Sequence, residues 1–505
     1  MFQTISALIQ PDKDFPARTY ELDVLSRVLN GTFYDVLPYA FHEERGAGGE
    51  YIPLRQRRPS VQYNIPRIVV DDSVALLFSE GQFPAIECKD HDARNAARAI
   101  VDDSNLQVVM SDAAIRGSVG SVAIHLRVMS SRVFFDPYDT KFLTPVWMPG
   151  EPDRLARIIE KYKVKREVLE AWGYAVDPRV TEYWFQRHWD EQQEVWYLPW
   201  PVVDPSGKPS PPVMDADKTV SHSLGFVPWV WIRNLPGASA TGDANDGACT
   251  FKLAINTCIE VDYQLSQVGR GLKYSSDPTL LLKEPAFGEG GKLVRGASDA
   301  LVVSKDGDAK LLEINGSAAA AVLEYVTFAR EAALESIHGN RTKADKFSGA
   351  QSGRALEMMH QPLVWLAGHL RHSYGQIGLL RLLEMVAAVS RQVELTAKGK
   401  PVGKIPADAE FSLRWPPWFK PTGDAMVSQA NATATWRAAG AISQRTAVSM
   451  TAEMVAVDDV EAEIAEVQKD QTAILEGKAL APSGLAIPQD TPKANGTKGH
   501  GGDGA

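Results

Sequence analysis

The sequence predicts an α+β protein assembled from several successive parts. Three observations carry that expectation. Four stretches of helical period in the first 115 residues give way, after Gly117, to runs of β-favouring residues. Two long helical stretches, residues 248–272 and 317–338, bracket a short β-rich insertion. The last part of the chain before the tail is helical again and strongly acidic. With 505 residues, 44% apolar and 23% charged, the chain has material for several cores, and roughly two to four structural units are expected.

In order, residues 17–30 place Tyr20, Val24, Leu25 and Val28 on one helical face, and Gly31 ends the run. A glycine-bearing loop at 46–49 precedes a turn at Tyr63 that leads into a second amphipathic helix. Residues 90–103 and 106–115 continue in helical period. Strands are expected at 121–129 and 132–135, with Pro137 marking the exit of the second. Residues 154–163 mix helix and strand periods and give no assignment. Aromatic-rich runs at 180–189 and 194–200 bracket a polar turn and read as a hairpin. The proline cluster at 201–212 requires an extended loop, and residues 221–236 turn into a buried strand.

The chain is organised around residues 316–371. Ser317 is an N-cap candidate and Gly339 a stop, so about 22 helical residues give a rod of roughly 33 Å. A basic loop follows, in which Arg341, Lys343, Lys346 and Arg354 stand against Asp345 for a local charge of +3. Beyond it a second helix runs to about Leu395, with Pro362 inside it as a kink or an irregular start. A strand at 410–415, a helix at 424–439 and a last helical region from Gly440 complete the ordered chain. Residues 453–470 hold seven acids and one lysine, and the Pro-, Gly-, Lys- and Thr-rich residues 478–505 are expected to be disordered.

A net charge of −10 excludes wholesale coating of nucleic acid, so any contact with DNA is local. Three scattered cysteines suit a reducing setting and neither a disulfide framework nor a zinc site. Neither a signal peptide nor a membrane span is expected. Motifs that would carry enzyme chemistry are near misses. Residues 242–247 have the glycine spacing of a P-loop, but Ala248 and Cys249 stand where Lys and Ser or Thr are required. Gly288-Glu-Gly290 has Leu293 in place of the third glycine of a dinucleotide fingerprint. His42-Glu-Glu-Arg45 does not return a second histidine, and His360, His369 and His372 lack a completing carboxylate. The adjacent pairs Asp71-Asp72 and Asp102-Asp103 point in different directions on a helix. No catalytic residue, cofactor or metal is expected.

The order of parts resembles the portal proteins of tailed double-stranded DNA bacteriophages. The stretches that carry the resemblance are Tyr63-Asn-Ile-Pro-Arg-Ile-Val-Val-Asp-Asp-Ser73, His222-Ser-Leu-Gly-Phe-Val-Pro-Trp-Val230, Ser352-Gly-Arg-Ala-Leu356, Gly440-Ala-Ile-Ser443 and Asp458-Asp-Val-Glu-Ala-Glu-Ile464. The resemblance implies a portal fold with an α+β wing (1–242), stem helices (243–274 and 316–339), a small β-rich clip (275–315), a tunnel loop (340–354), a long spine helix with return strand (355–423), an α-helical crown (424–477) and a disordered tail. It implies a homo-oligomeric ring, usually a dodecamer, at one capsid vertex, assembled in the host cytoplasm, through which double-stranded DNA is packaged and ejected. Arg341, Lys343, Lys346, Ser348, Gly349 and Arg354 would face the DNA channel. Lys283, Glu284, Phe287, Lys292 and Arg295 of the clip would dock the terminase large subunit and later the head-completion and tail-adaptor proteins. Major capsid and scaffolding proteins are further implied partners, and a membrane is not. The alternative is a minor capsid or scaffold-associated structural protein without a DNA channel.

A channel through which DNA slides cannot hold phosphates along its whole length, because each neutralised phosphate adds affinity and friction. An acidic chain with one short positive loop suits that requirement.

Overall fold

Helices and strands both contribute to the body of the protein, as an α+β reading requires. The computed structural model describes residues 1–203, 211–222, 224–276, 279–285, 303–312, 317–339, 358, 360–419, 423–452, 457 and 460–475. Two units separate, Met1–Trp418 and Phe419–Ala505.

The first unit opens with helices α1 (Phe2–Ser6), α2 (Ala17–Leu29) and α3 (Ile65–Phe78). Asn64 starts α3 by accepting from the Arg67 N–H at 3.1 Å, with Pro66 in the first turn where its missing donor costs nothing. Strand β1 (Ala85–Cys88) precedes α4 (His91–Asp103), whose first turn is capped by the Asp90 carboxylate. Asn105, left-handed at φ 50°, turns the chain into α5 (Leu106–Gly117).

The strands β2 (Ser121–Met129) and β3 (Arg132–Asp139) follow, the second running four residues beyond the expected Phe135 and past Pro137. Next come β4 (Leu143–Met148) and β5 (Glu151–Lys165), then the short helix α6 (Arg166–Ala171). Then come β6 (Glu182–Trp189), β7 (Gln193–Tyr197), β8 (Trp200–Pro201), β9 (Met214–Ser221) and β10 (Trp229–Arg233). The hairpin expected at 180–200 is β6 and β7, pairing Arg187 with Trp196 and Trp189 with Glu194. The unassigned stretch 154–163 is strand throughout. Its alternation is obscured because Glu160, on the inner face, is buried against Arg187, while Lys161 and Lys163 hold their ammonium groups over the Trp184 ring.

These strands form two antiparallel sheets, one of three strands in the order β10-β2-β3 and one of six in the order β4-β5-β6-β7-β9 with β8 beside β6. Trp229, Trp189 and Ile158 pack between them, with the His125 ring stacked on Trp229 at 4.5 Å. Burial holds His125 well below the usual histidine range, so the stack is neutral.

The helices α7 (Ile255–Ser276) and α8 (Ser317–Ser336) flank β11 (Thr279–Pro285) and β12 (Val303–Leu312). The helix expected to begin at 248 begins at Ile255. Residues 248–250 stay outside the helix, where the buried Asn234 amide donates to the Ala248 carbonyl at 2.8 Å and the Thr250 hydroxyl at 2.9 Å. Ser317, the expected cap of α8, lies inside it as the first helical residue. At its other end the left-handed residue is His338, φ 59°, and the Gly339 N–H closes the turn on the Leu334 carbonyl at 2.8 Å. Glycine at 339 answers a steric need, since a Cβ there would lie 2.8 Å from Val69 and 2.7 Å from Leu334.

The long second helix is interrupted. Its described part runs as α9 (Gln361–Leu370), a π-helical segment Arg371–Leu379, and α10 (Leu380–Gln392). Pro362 sits harmlessly in the first turn of α9, and the irregularity falls at the π segment instead. There Ser373, Tyr374 and Gly375 are buried in succession, and Tyr374 donates to Asn234 at 3.1 Å. Gly375 lies against the Trp415 ring and Gly378 against Ile232, each too close for a Cβ. Strands β13 (Leu395–Ala397) and β14 (Lys400–Val402) form a hairpin, and β15 (Phe411–Arg414) pairs with β1. The Arg371 guanidinium stacks on Trp415 and Trp418, and burial pushes it down to about 10.

The second unit contains α11 (Gly423–Ala438), α12 (Gln444–Thr451), capped by Ser443, and α13 (Val460–Leu475).

Candidate functional site: a helix pair carrying a hairpin

Helices α7 and α8 pack on each other through Val261 and Leu265 on one side and Val322, Val326 and Ala329 on the other. The antiparallel hairpin β11–β12 lies between them in sequence, in register from Thr279 opposite Leu312 to Lys283 opposite Asp308, with an irregularity before Pro285.

Polar contacts root the pair in the body of the first unit. The buried Asp262 of α7 accepts from the Tyr63 N–H at 2.7 Å and from the Tyr34 hydroxyl at 2.8 Å. One turn on, the Ser266 hydroxyl accepts from the Val61 N–H at 3.0 Å, and the Tyr263 hydroxyl donates to the Arg57 carbonyl at 2.8 Å. Three side chains of α7 thus hold the segment 57–63 that leads into α3. Helix α8 reaches the same point, for Arg330 donates to the Tyr63 hydroxyl at 3.2 Å and lies over its ring. Burial pushes the Asp262 carboxyl up to about 6, against the lowering effect of the Tyr63 N–H and the Tyr34 hydroxyl. Cys258, one turn before it, is pushed up to about 12 by burial. Away from the contact with α7, Leu323 on one flank of α8 and Tyr325 and Phe328 on the other are exposed, Phe328 by 68%.

Of the expected hairpin residues, Lys283 is exposed on β11 and Glu284 follows it in the same strand. Phe287, Lys292 and Arg295 lie outside the described residues, as do Arg341, Lys343, Lys346, Ser348, Gly349 and Arg354 of the basic loop.

The near-miss motifs have structural roles. Within the P-loop-like stretch, Asp246 binds Arg18 through two 2.8 Å contacts and also accepts from the Ser121 and Thr241 hydroxyls. A Cβ on Gly247 would fall 2.8 Å from the Asn234 backbone nitrogen, so its glycine serves close packing. Asp71 is engaged by Arg67, and Asp103 by Arg132 and the Lys398 N–H, which separates each aspartate from its neighbour. Among the described residues no His, Cys, Asp and Glu side chains gather into a metal-ligating group, and no helix is long and apolar enough to cross a membrane.

Sequence reasoning missed the root of the pair. Its signals were Asp262 inside an apolar helical face, and tyrosines at 34 and 63 that carry both an apolar body and a polar tip. Set against known proteins, the chain matches no family model and no curated sequence.

Proposed function

We propose that this chain is a phage portal subunit, one copy in a homo-oligomeric ring at a capsid vertex through which double-stranded DNA enters and leaves. The observation that carries the reading is the helix pair, two long helices packed side by side, separated in sequence by a small β-hairpin and rooted in an α+β body through Tyr63 and Asp262. In this reading α7 and α8 form the stem, and the hairpin forms the clip that docks the terminase large subunit and then the head-completion proteins. The residues around Lys343 and Lys346 meet the DNA. Exposed large apolar side chains of α8 support self-association, because Leu323, Tyr325 and Phe328 gain by burial against neighbouring copies. The acidic chain supports a passage that lets DNA slide. The subunit does no chemistry of its own and leaves nucleotide hydrolysis to the terminase.

Native mass spectrometry and negative-stain imaging of the purified protein test the reading together. Closed rings with a central hole are expected, and the same chain is expected in purified virions by immunoblot. A protein that remains monomeric at micromolar concentration and is absent from virions overturns it.

A further inference from the structure

Strand β10 is an edge strand with an unused side. In its ladder with β2, Val230 faces Ile124 and Ile232 faces Val122, and the flanking bonds Leu126 N–H to Pro228 O and Asn234 N–H to Gly120 O are each 2.9 Å. Backbone groups of an antiparallel strand alternate in direction, so those of Trp231 and Arg233 point away from β2. Among the described residues they meet no hydrogen-bonding partner. A cleft of about 700 Å³ opens on this side, lined by Trp231 and Arg233 but not by Ile232, whose backbone is turned to β2. One wall is helical, with Ile377 of the π segment and Met385 of α10, and the other is the β4–β5 hairpin, with Trp147 and Leu155.

Charge is distributed unevenly along this cleft. Where the chain enters β10 the β6–β7 turn comes close, the Gly225 N–H donating to the Glu191 carbonyl at 3.0 Å, and there Glu191 and Glu151 share the single Arg154 guanidinium. Asp153, beside Arg154 on β5, is exposed and has no cationic partner among the described residues. At the other end Arg233 lies over Trp147, 5.4 Å from the ring centroid, and no carboxylate pairs with it among the described residues. The helical wall is neutral, Arg381 being paired with Glu384. The groove is therefore negative where β10 begins and positive where it ends.

These features select an extended peptide. A nucleic-acid backbone is repelled at the acidic end and finds a single free guanidinium at the other. Outward N–H and C=O groups on alternate residues are what an added strand satisfies. Such a strand projects its side chains alternately to the two walls, and apolar walls on both sides favour β-branched residues. Both pairings in this sheet are antiparallel, and a peptide that continues the pattern starts beside Arg233 and ends beside Glu191. Complementary charge then places an acid near its start and a lysine or arginine roughly five residues later.

We propose that β10 and its cleft receive an extended segment of a partner protein as an added antiparallel strand, acidic at its start, β-branched in its middle and basic at its end. The groove belongs to a single chain and does not depend on the ring reading above.

Randomised octapeptides displayed against the purified wild type, with Ile377→Arg as counter-target, identify the sequences the groove takes. The enriched peptides are expected to carry that order of charges with β-branched residues between, and to bind the wild type about tenfold more tightly than Ile377→Arg. N-methylation of every second residue of the best peptide is expected to cost about tenfold in one phase of the alternation and less than about twofold in the other, because only one set of N–H groups faces β10. Arg233→Glu, at an exposed position, is expected to weaken binding about fivefold, and a peptide with lysine in place of its acid to bind that variant again. Absence of enrichment over the counter-target, N-methylation without effect in both phases, or peptides indifferent to Arg233→Glu overturn the proposal. Hydrogen exchange at Trp231 and Arg233 is expected to slow when the peptide binds. Slowing produced by raising the concentration of the chain alone shows a second copy in the groove and overturns the peptide partner as well.

Discussion

Asp246 and Asp262 are buried to the same depth, 4% and 5% exposed, and do opposite things. Asp246 faces the Arg18 guanidinium in a two-point contact and two hydroxyls besides, while Arg18 Nη1 donates to the Thr140 and Leu143 carbonyls. Every charge there has its counter-charge, and the knot ties α2, the β3–β4 junction and the loop before α7 into one body. Asp262 has only a backbone N–H and a tyrosine hydroxyl, with no salt-bridge partner among the described residues. Burial acts on it unopposed by a cation, and its carboxyl titrates near 6. Depth alone therefore does not fix the cost of a buried acid. The partner does, and here it separates a fixed, ion-paired joint from one without a counter-charge at the foot of the helix pair.

Breaking the fixed joint has the largest expected effect. Asp246→Ala leaves Arg18, whose side chain is 9% exposed, buried without its counter-charge, and a loss of about 3–5 kcal/mol is expected in urea unfolding. Replacing both partners by apolar residues, Arg18→Met with Asp246→Leu, is expected to cost much less than the single change. If Asp246→Ala cost under about 1 kcal/mol, the knot would be ornamental and the contrast with Asp262 would collapse.

A milder test asks whether near neighbours also decide the sign at apolar positions. Gly375 and Gly368 lie on the same interrupted helix. A Cβ on Gly375 would meet the Trp415 ring at 2.6 Å, whereas one on Gly368 meets nothing within 4 Å. Gly375→Ala is therefore expected to lower stability by about 1–3 kcal/mol through overpacking. Gly368→Ala is expected to raise it by about 0.5–1 kcal/mol through helix propensity. Thermal melts of the two variants should move in opposite directions, and movement in the same direction refutes the packing account of the π segment.

Local signals explain which elements the sequence made legible. Asn64 and Asp90 mark helix starts because their side chains cap within a few residues, and the aromatic alternation of β6 and β7 is a period-two signal. Features that depend on distant residues were not legible. The stretch before α7 is held by Asn234, the strand β5 hides buried Glu160 behind a partner in β6, and the π segment answers to Trp415 and Ile232. At the site, the order helix, hairpin, helix could be read, because each part has its own composition. Its root could not, since Tyr34, Tyr63 and Asp262 meet only after folding.

At Asp262 the expected effect changes sign with pH. The folded carboxyl, near 6, binds its proton more tightly than an unfolded aspartate at 3.8. The protonated native state is therefore favoured, and this contribution is complete below about pH 4. It is lost as pH rises through 6 and stays lost above, for a total of about 2–3 kcal/mol at 1.36 kcal/mol per unit. Asp262→Asn keeps the shape without the charge. Its amide oxygen accepts from the Tyr63 N–H, and its NH2 must donate to Tyr34, which leaves the tyrosine proton without its acceptor at a cost of about 1 kcal/mol. Near pH 4 the variant is thus expected to be less stable than the wild type by about 1 kcal/mol, and near pH 8 more stable by about 1–2 kcal/mol, the curves crossing between. Urea unfolding at the two extremes measures it. A difference that keeps its sign and size from pH 4 to pH 8 would mean that Asp262 is as well compensated as Asp246, and that the helix pair stands on a second fixed joint.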